Sequence, residues 1–262
     1  MPEPTAIAEF ARRFRAREPL VGYWVMMDSP ASTERLARVG YDYVCLDQQH
    51  GLMGYDGIRN GLMAVDAGAR LGPVDTVGIV RAAANDITWI GQALDAGAAA
   101  IIVPLVDDAD GARLAVRNAK YPPLGVRSFG PMRAQLRLGR DPQVANEQVL
   151  LLAMIETPDG LANVEEIAAV EGVDGLYIGP SDLSLALGAA FPGDPAVATE
   201  FDAALVRITA AARAAGKSVG IHTPSGAVAA QRLAQGYDVV TIAGDVVHLE
   251  EIAASHLGTA RG

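Results

Sequence analysis

The chain has 262 residues, half of them hydrophobic, and a formal net charge of −10 at pH 7. That is enough for one large hydrophobic core, and the negative charge argues against a nucleic-acid partner, whose phosphates would be repelled. The single cysteine, Cys45, excludes an intrachain disulfide and favours a reducing compartment. The N-terminal region shows no signal-peptide pattern, and no run reaches the roughly 20 apolar residues of a membrane span. We therefore expect a soluble cytoplasmic protein that does not bind membranes, with one domain over residues 1–262.

Short apolar segments alternate with alanine-rich helical segments along the chain. A helix is predicted over residues 5–17, and the apolar runs that follow predict strands at Leu20–Met26, Tyr43–Leu46, Val77–Val80, Ala100–Val103, Val149–Ile155, Gly175–Ile178, Ser218–Ile221 and Val239–Ile242. The intervening helical segments, several of them followed by glycine, include Ser32–Val39, Ile87–Ala96, Ala109–Ala119, Leu161–Val170, Phe201–Ala215 and Ser225–Gln235. Eight strand–helix units predict a TIM (β/α)8 barrel. The alternative is a doubly wound open sheet, which usually carries a glycine-rich fingerprint that residues 26–30 lack.

One irregular region, residues 121–146, is rich in proline, glycine and arginine. It is predicted to be a long excursion after the fourth strand, and such loops are often functional or make contacts. Its arginines could bind an acidic or polyhydroxylated substrate, or they could pair with acids at a subunit interface. They are Arg127, Arg133, Arg137 and Arg140.

Polar residues follow the predicted strands where each strand ends. In a TIM barrel all such positions share the C-terminal face, where active sites are built. They are Asp47 and His50 after the second strand, Arg81 after the third, Glu156 after the fifth, Asp182 after the sixth, His222 after the seventh and Asp245 after the eighth. Glu156 and Asp182, on strands joined by one helix, could hold one divalent cation, which prefers oxygen ligands. Alternatively, these two carboxylates cap helices, and Arg81 belongs to a structural ion pair.

These residues can support cleavage of a carbon–carbon bond beta to a ketone, which leaves an enolate. A divalent cation and Arg81 would stabilise the charge on the ketone oxygen. His50, with an ordinary pKa of about 6.5, could act as the base, and Asp47 would fix its tautomer if the two were hydrogen-bonded. A Schiff-base route has no lysine in the right place, because Lys120 and Lys217 are the only lysines and neither ends a predicted strand.

Several motifs occur in an order that resembles the HpcH/HpaI family of class II pyruvate aldolases, over nearly the whole chain. Members of this family include 4-hydroxy-2-oxoheptane-1,7-dioate aldolase and 2-dehydro-3-deoxyglucarate aldolase. The motifs are residues 47–51 (DQQHG), the strand ending in Arg81, residues 94–98 (LDAGA), 121–127 (YPPLGVR), 154–157 (MIET) and 178–184 (IGPSDLS).

The resemblance implies a barrel of the phosphoenolpyruvate/pyruvate superfamily that makes or cleaves 4-hydroxy-2-oxo acids from a 2-oxo acid and an aldehyde. It also implies a divalent metal (magnesium, manganese or cobalt) and a homo-oligomer, a hexamer that exchanges its eighth helix between subunits. The residues that match the family's sites are Glu156 and Asp182 for the metal, Arg81 beside the pyruvyl oxygen, His50 with Asp47 for proton transfer, the backbone amides of Ser181 and Asp182 for the pyruvate carboxylate, and Asp95 for the neighbouring subunit's site. Two departures change the polar surroundings: Gln49 replaces a frequent glutamate, and Met154 replaces a glutamine found in several relatives.

Other functions remain open at this stage. A phosphosugar isomerase would bind phosphate after strands seven and eight, but Asp245 there would repel it. A lyase of the same superfamily that acts on an acyl-CoA would need a basic surface, which the charge balance does not favour. A non-catalytic barrel would leave the polar set at the strand ends unexplained. The C-terminal segment 246–253 has the spacing of an amphipathic helix and, by the resemblance, is expected to pack on a partner subunit.

Overall fold

The computed structural model describes residues 5–262. Its strands are all parallel and close into a barrel in sequence order, so the predicted TIM barrel is confirmed. The strands are β1 (Leu20–Val25), β2 (Tyr43–Asp47), β3 (Val77–Arg81), β4 (Ala100–Val103), β5 (Leu150–Ile155), β6 (Gly175–Ile178), β7 (Ser218–Thr223) and β8 (Val239–Ile242).

Helices surround this barrel and connect its strands. They are α1 (Ala6–Arg15), α2 (Pro30–Ala37), α3 (Tyr55–Ala69), α4 (Ile87–Asp95), α5 (Ala109–Ala119), α6 (Gln135–Leu138), α7 (Pro142–Gln148), α8 (Pro158–Ala162), α9 (Val164–Ala169), α10 (Pro180–Ala186), α11 (Ala198–Ala214), α12 (Gly226–Ala234) and α13 (Asp245–Arg261). The single helix predicted over Leu161–Val170 is wrong in detail, because the chain breaks at Asn163 into α8 and α9. Within residues 5–262, no helix has the length and apolar character needed to cross a membrane.

The barrel interior is filled by side chains at alternate strand positions. Tyr43 and Tyr177 each hydrogen-bond the hydroxyl of Thr241, at 2.6 and 2.5 Å. Gly22 makes room for this layer, since a Cβ there would lie 2.1 Å from the Tyr43 ring. Cys45 is buried and its thiol pKa is raised by that burial, as expected for an unreactive core thiol.

The arginine-rich excursion differs from its prediction. It follows α5 rather than β4 directly, it contains α6 and α7, and it leads into β5. A segment between a helix and the next strand lies at the N-terminal end of a barrel, away from the mouth where the strands end. Its arginines pair within their own chain: Arg127 with Asp95 at 2.6 Å, and both Arg133 and Arg137 with Asp66. Arg140 donates to Gln135 at 3.0 Å. These arginines therefore do not line this barrel's own mouth, and three of them have intrachain counter-ions.

Helix α13 extends away from the barrel. Its first residue, Asp245, is buried, but every residue from Leu249 to the end is exposed. Four large apolar side chains on it face solvent: Val247, Leu249, Ile252 and Leu257. The chain's own core leaves this helix largely uncovered.

Candidate active site

A buried ion pair joins β2 and β3 at the mouth of the barrel. Asp47 and Arg81 are directly opposite each other in the β2–β3 register. Arg81 donates from Nε to Oδ1 of Asp47 at 2.9 Å and from Nη2 to Oδ2 at 2.5 Å. Burial opposes both charges, but the pair outweighs it, so the pKa of Asp47 is lowered and that of Arg81 is raised. Both groups are therefore ionised over the whole neutral range.

Trp24 forms a platform beneath this pair. Its indole N–H donates to Oδ2 of Asp47 at 3.2 Å, and the Arg81 guanidinium lies 5.0 Å from the ring centroid. The ring also stacks on Tyr177, with 6.2 Å between centroids. Arg81 is thus fixed from two sides, and its Nη1 donates no hydrogen bond to any residue in the described range 5–262. That nitrogen is the one available for a ligand.

Asp47 makes no hydrogen bond to the His50 ring, so the condition under which it would fix the tautomer of that imidazole is not met. Its Oδ1 accepts from the backbone amides of Gln49 at 3.0 Å and His50 at 3.2 Å, which fixes the turn after β2. The remaining partners of the carboxylate are Arg81 and Trp24, and the His50 side chain is exposed. The acid orients Arg81 and shapes the turn that carries His50, so its effect on the imidazole is indirect.

Glu156, one residue past β5, is the second buried carboxylate at the mouth. It is 2% exposed; Oε1 accepts from the amide of Leu105 at 2.9 Å, while Oε2 is buried without a partner in the described part of the chain. Its pKa is raised by burial first and also by the charge of Asp182, although the Leu105 amide and Arg81 oppose this. Gly179 provides the space, because a Cβ there would lie 2.4 Å from Oε2.

Asp182 and Ser181 lie in the first turn of α10, directly after β6, and both are exposed. Asp182 is close enough to Glu156 for its charge to raise the pKa of that group. The structure therefore brings the two predicted metal ligands to adjacent strand ends. First-turn amides of a helix lack intrahelical acceptors, which leaves those of Ser181 and Asp182 able to bind an anionic group.

The donor set fits a divalent cation that keeps open positions. Within residues 5–262, no group of three or more His, Cys, Asp or Glu side chains is arranged to hold a metal. Glu156 supplies a buried oxygen with no other partner, and Asp182 supplies an exposed one. Hard cations such as Mg²⁺ commonly take one or two carboxylates and complete their shell with water and substrate oxygens. Two acidic ligands suit that pattern.

The other predicted residues have separate places. Asp245 is buried and accepts from the amides of Met26 and Met27 at 2.9 and 3.2 Å, so it anchors the loop after β1. Asp95 ends α4 at the opposite end of the barrel, where it pairs with Arg127. Its predicted role concerns a neighbouring subunit and stays a prediction. His222 lies near the end of β7 beside Trp24, with ring centroids 5.2 Å apart.

Three residues of the site are missing from the sequence prediction: Trp24, Leu105 and Gly179. Leu105 adopts a left-handed backbone with φ of 54°, which directs its amide at Glu156. A non-glycine residue in that region is uncommon and often marks a functional loop. Gly179, which directly follows an apolar strand, offered a signal, since glycine there permits a close approach. Trp24 carried no sequence signal of a role in the site apart from its place in the first strand.

A TIM barrel whose mouth combines an ion-paired arginine with a buried, unpartnered glutamate has the features of an enzyme active site. The chain belongs to the HpcH/HpaI aldolase/citrate lyase family, whose model matches residues 20–251. It is therefore an enzyme of an aldolase family, as the motifs predicted.

Named relatives cover most of the chain. The hydroxypyruvate/pyruvate aldolase of Rhizorhabdus wittichii is 39% identical over 93% of this chain and 94% of that protein. The 4-hydroxy-2-oxo-heptane-1,7-dioate aldolase of Shigella flexneri is 36% identical over 93% of this chain and 90% of that protein. A crystal structure of a family member from Burkholderia cenocepacia J2315 superposes with a TM-score of 0.88 at 32% identity, over 97% of this chain and 100% of that one.

Proposed function

We propose that this protein is a divalent-metal-dependent aldolase that makes or cleaves 4-hydroxy-2-oxo acids through the enolate of pyruvate or hydroxypyruvate. The observation that carries the proposal is the buried, unpartnered Oε2 of Glu156, next to Asp182 and within electrostatic reach of Arg81. The relatives named as hydroxypyruvate/pyruvate aldolases support the choice of donors.

Glu156 and Asp182 would hold the cation, which when bound supplies Lewis-acid stabilisation to the 2-oxo group. The hydrogen bond from Leu105 leaves Oε2 of Glu156 as the free oxygen. The free first-turn amides of α10 would hold the donor carboxylate, where the helix end also favours negative charge. Magnesium, manganese and cobalt all suit carboxylate ligands.

Arg81 would stabilise the charge that develops on the ketone oxygen. In the cleavage direction the C3–C4 bond breaks, and its electron pair leaves a negative charge on the oxygen of C2. Because Asp47 and Trp24 hold the guanidinium in place, that charge meets a donor that does not have to reorganise. The ion pair with Asp47 and a catalytic role for Arg81 are therefore compatible.

His50 would move the proton of the C4 hydroxyl. Cleavage converts that hydroxyl to an aldehyde and releases its proton, so a base must stand at the mouth of the barrel. His50 is exposed on the turn after β2. An exposed imidazole can reach a substrate and exchange its proton with solvent.

The rival functions account for less of the site. A phosphosugar isomerase leaves Oε2 of Glu156 unexplained, and buried Asp245 sits at the β8 loop where phosphate would bind. An acyl-CoA lyase would bind phosphates, yet the net charge is −10. Neither rival uses the fixed Arg81 and the free carboxylate together.

A retro-aldol assay with and without chelator tests the proposal. We expect turnover of 4-hydroxy-2-oxo acids and condensation of pyruvate or hydroxypyruvate with aldehydes, both lost in EDTA and restored by Mg²⁺, Mn²⁺ or Co²⁺. Acyl-CoA and phosphosugar substrates are assayed in parallel, one for each of the two rival functions. Turnover unaffected by exhaustive chelation would refute the metal dependence, and inactivity with every 2-oxo acid would refute the aldolase assignment.

We also propose a homo-oligomer, with the cytoplasm as its location. The apolar side chains of α13 are not covered by the rest of residues 5–262 and would pack on a partner subunit, in a hexamer by the family resemblance. Asp95 would then support the neighbouring site. Light scattering is expected to give a mass well above 27.3 kDa. A monomer at micromolar concentration would contradict this part of the proposal.

A further inference from the structure

His222 faces the interior of the barrel at the mouth. Its neighbour two residues earlier on β7, Gly220, faces the Tyr177 ring, which would lie 2.8 Å from an added Cβ. Side chains at alternate strand positions share a face, so His222 points into the barrel above that ring. It meets Trp24 edge-on, with an interplanar angle of 76°. The imidazole therefore lies at the same end of the barrel as Arg81 and Glu156.

One nitrogen of the His222 ring lacks a hydrogen-bond partner within residues 5–262. Nδ1 of His222 is buried and has no partner in the described part of the chain. A buried polar atom of this kind is normally satisfied, and at an active site the missing partner is often a ligand. Burial first, and then the positive charge of Arg81, lower the pKa of His222 to about 4, although Asp47 opposes this. The imidazole is neutral at pH 7 and offers one donor and one acceptor to an uncharged group.

The order of the strands indicates which part of a donor reaches this ring. C2 of a 2-oxo acid is planar with three substituents. Under the proposed function, the carboxylate is held at α10 after β6 and the keto oxygen faces Arg81 on β3. The cation at Glu156 would occupy the β5 side, which leaves C3 pointing to the wall formed by β7, β8 and β1, where His222 and Trp24 lie.

We infer that His222 is a specificity-determining residue that hydrogen-bonds a hydroxyl on C3 of the donor, so that a 3-hydroxy-2-oxo acid is favoured over an unsubstituted one. The inference rests on the proposed aldolase function. Hydroxypyruvate is the simplest donor of this class, and pyruvate is its counterpart without the hydroxyl. An apolar residue at position 222 would favour the methyl group of pyruvate instead.

The test compares kcat/KM for hydroxypyruvate and for pyruvate, with a simple aliphatic aldehyde as acceptor and the enzyme loaded with Mg²⁺. His222→Leu keeps the bulk and removes both nitrogens. We expect the hydroxypyruvate-to-pyruvate ratio to fall by about 10- to 100-fold, the range for a lost buried hydrogen bond. The kcat/KM for hydroxypyruvate should fall more than that for pyruvate, because pyruvate has no hydroxyl for His222 to bind. His222→Gln, which keeps a donor and an acceptor, should retain part of the preference.

His248→Leu is the matched control, since it removes another histidine hydrogen bond, to Tyr23 at 2.8 Å, on α13. It should leave the ratio unchanged. In the wild type the ratio should be constant from pH 6 to 9, because the ring stays neutral there; a ratio that follows a titration would overturn the hydrogen-bonding role. Near-UV circular dichroism checks folding, and His222→Gln decides the question if His222→Leu does not fold.

Two outcomes overturn the inference and leave the function standing. One is an unchanged donor ratio in folded His222→Leu. The other is a ratio that shifts only when the acceptor aldehyde carries a hydroxyl, which would place the contact on the acceptor. Wild-type enzyme inactive with both donors would instead overturn the proposed function.

Discussion

Replacing Asp47 with Asn tests whether the buried ion pair is what positions Arg81. The Asp47 carboxylate accepts five hydrogen bonds: two from Arg81, one from Trp24 and two from the backbone amides of Gln49 and His50. Asparagine has the same shape but only one acceptor oxygen. The NH2 group of the asparagine would face an N–H donor that the carboxylate now accepts from. Arg81, which is 7% exposed, would also lose its counter-ion.

The expected cost follows from that burial. Breaking a buried pair by removing one partner typically costs about 3–5 kcal/mol, because a charge is left uncompensated. For a chain of this size that corresponds to a fall in Tm of roughly 6–20 °C. Arg81→Gln should cost a similar amount by leaving Asp47 unpaired. The double variant Asp47→Asn/Arg81→Gln removes both charges, so its loss should be smaller than the sum by about 2–3 kcal/mol.

Activity should follow a different pattern from stability. Asp47→Asn should lower aldol kcat by about 10²-fold, because a misplaced Arg81 no longer meets the developing charge. The double variant should recover stability without recovering activity. The measurements are urea unfolding at one protein concentration and the retro-aldol assay. Additive stability losses, or full activity in Asp47→Asn, would refute the positioning role.

The remaining predictions concern the cation, the proton and pH. Glu156→Gln and Asp182→Asn should each abolish detectable Mn²⁺ binding by calorimetry while circular dichroism stays that of the wild type; wild-type stoichiometry in both would remove them as ligands. Arg81→Ala should depress aldol cleavage and the exchange of pyruvate methyl protons together, by about 10²–10³-fold, since both pass through an enolate. His50→Ala should cost about 10²–10⁴-fold in aldol turnover and less in exchange, and NMR in deuterated water separates the two; wild-type exchange in Arg81→Ala would contradict its role. The lowered pKa of His222, about 4, means that the unfolded chain binds this proton more readily, so stability should fall by up to about 3 kcal/mol as pH drops from about 6.5 to 4. His222→Gln should reduce this loss of stability at low pH. If the free energy of unfolding of the variant still falls with the same slope, another group causes the loss.

The barrel was predictable because each strand is buried on both faces and so appears in the sequence as an uninterrupted apolar run. The predicted Ala100–Val103, Gly175–Ile178 and Val239–Ile242 match the observed strands at both ends. Three strands run one or two residues further than predicted, because a polar side chain still continues the ladder, and the predicted Leu20–Met26 and Val149–Ile155 are each one residue too long. Arg81 is one example, since it pairs in register with Asp47 although it follows the apolar run.

The site was predictable in its positions but not in its pairings. A barrel brings strand ends together whatever their register, so Asp47, Arg81 and Glu156 could be assigned to one mouth. The pairing of Asp47 with Arg81 depends on the register between β2 and β3 and on the position of Trp24. The spacing of residues along the sequence shows neither of these. The sequence therefore suggested His50 as the partner of Asp47, whereas the structure pairs it with Arg81.

The location of the arginine-rich excursion could have been predicted from the order of the elements on either side of it. The predicted helix Ala109–Ala119 precedes it and the predicted strand Val149–Ile155 follows it. In a barrel, a segment that runs from a helix to a strand lies at the N-terminal end. That order separates Arg127 and Arg133 from the mouth before any side chain is placed.

Two buried carboxylates at the mouth differ in pKa because of their partners, not because of their depth. Asp47 and Glu156 are 0% and 2% exposed. Arg81 and three N–H donors, from Trp24 and the backbone of Gln49 and His50, satisfy Asp47 only in its ionised form, and its pKa is lowered. Glu156 has one amide donor, a free Oε2 and a nearby negative charge on Asp182, and its pKa is raised. A carboxylate that already has its counter-ion can only orient that ion, whereas one that lacks a counter-ion gains most from binding a cation. This difference supports the proposal that Glu156 holds the metal and that Asp47 positions Arg81.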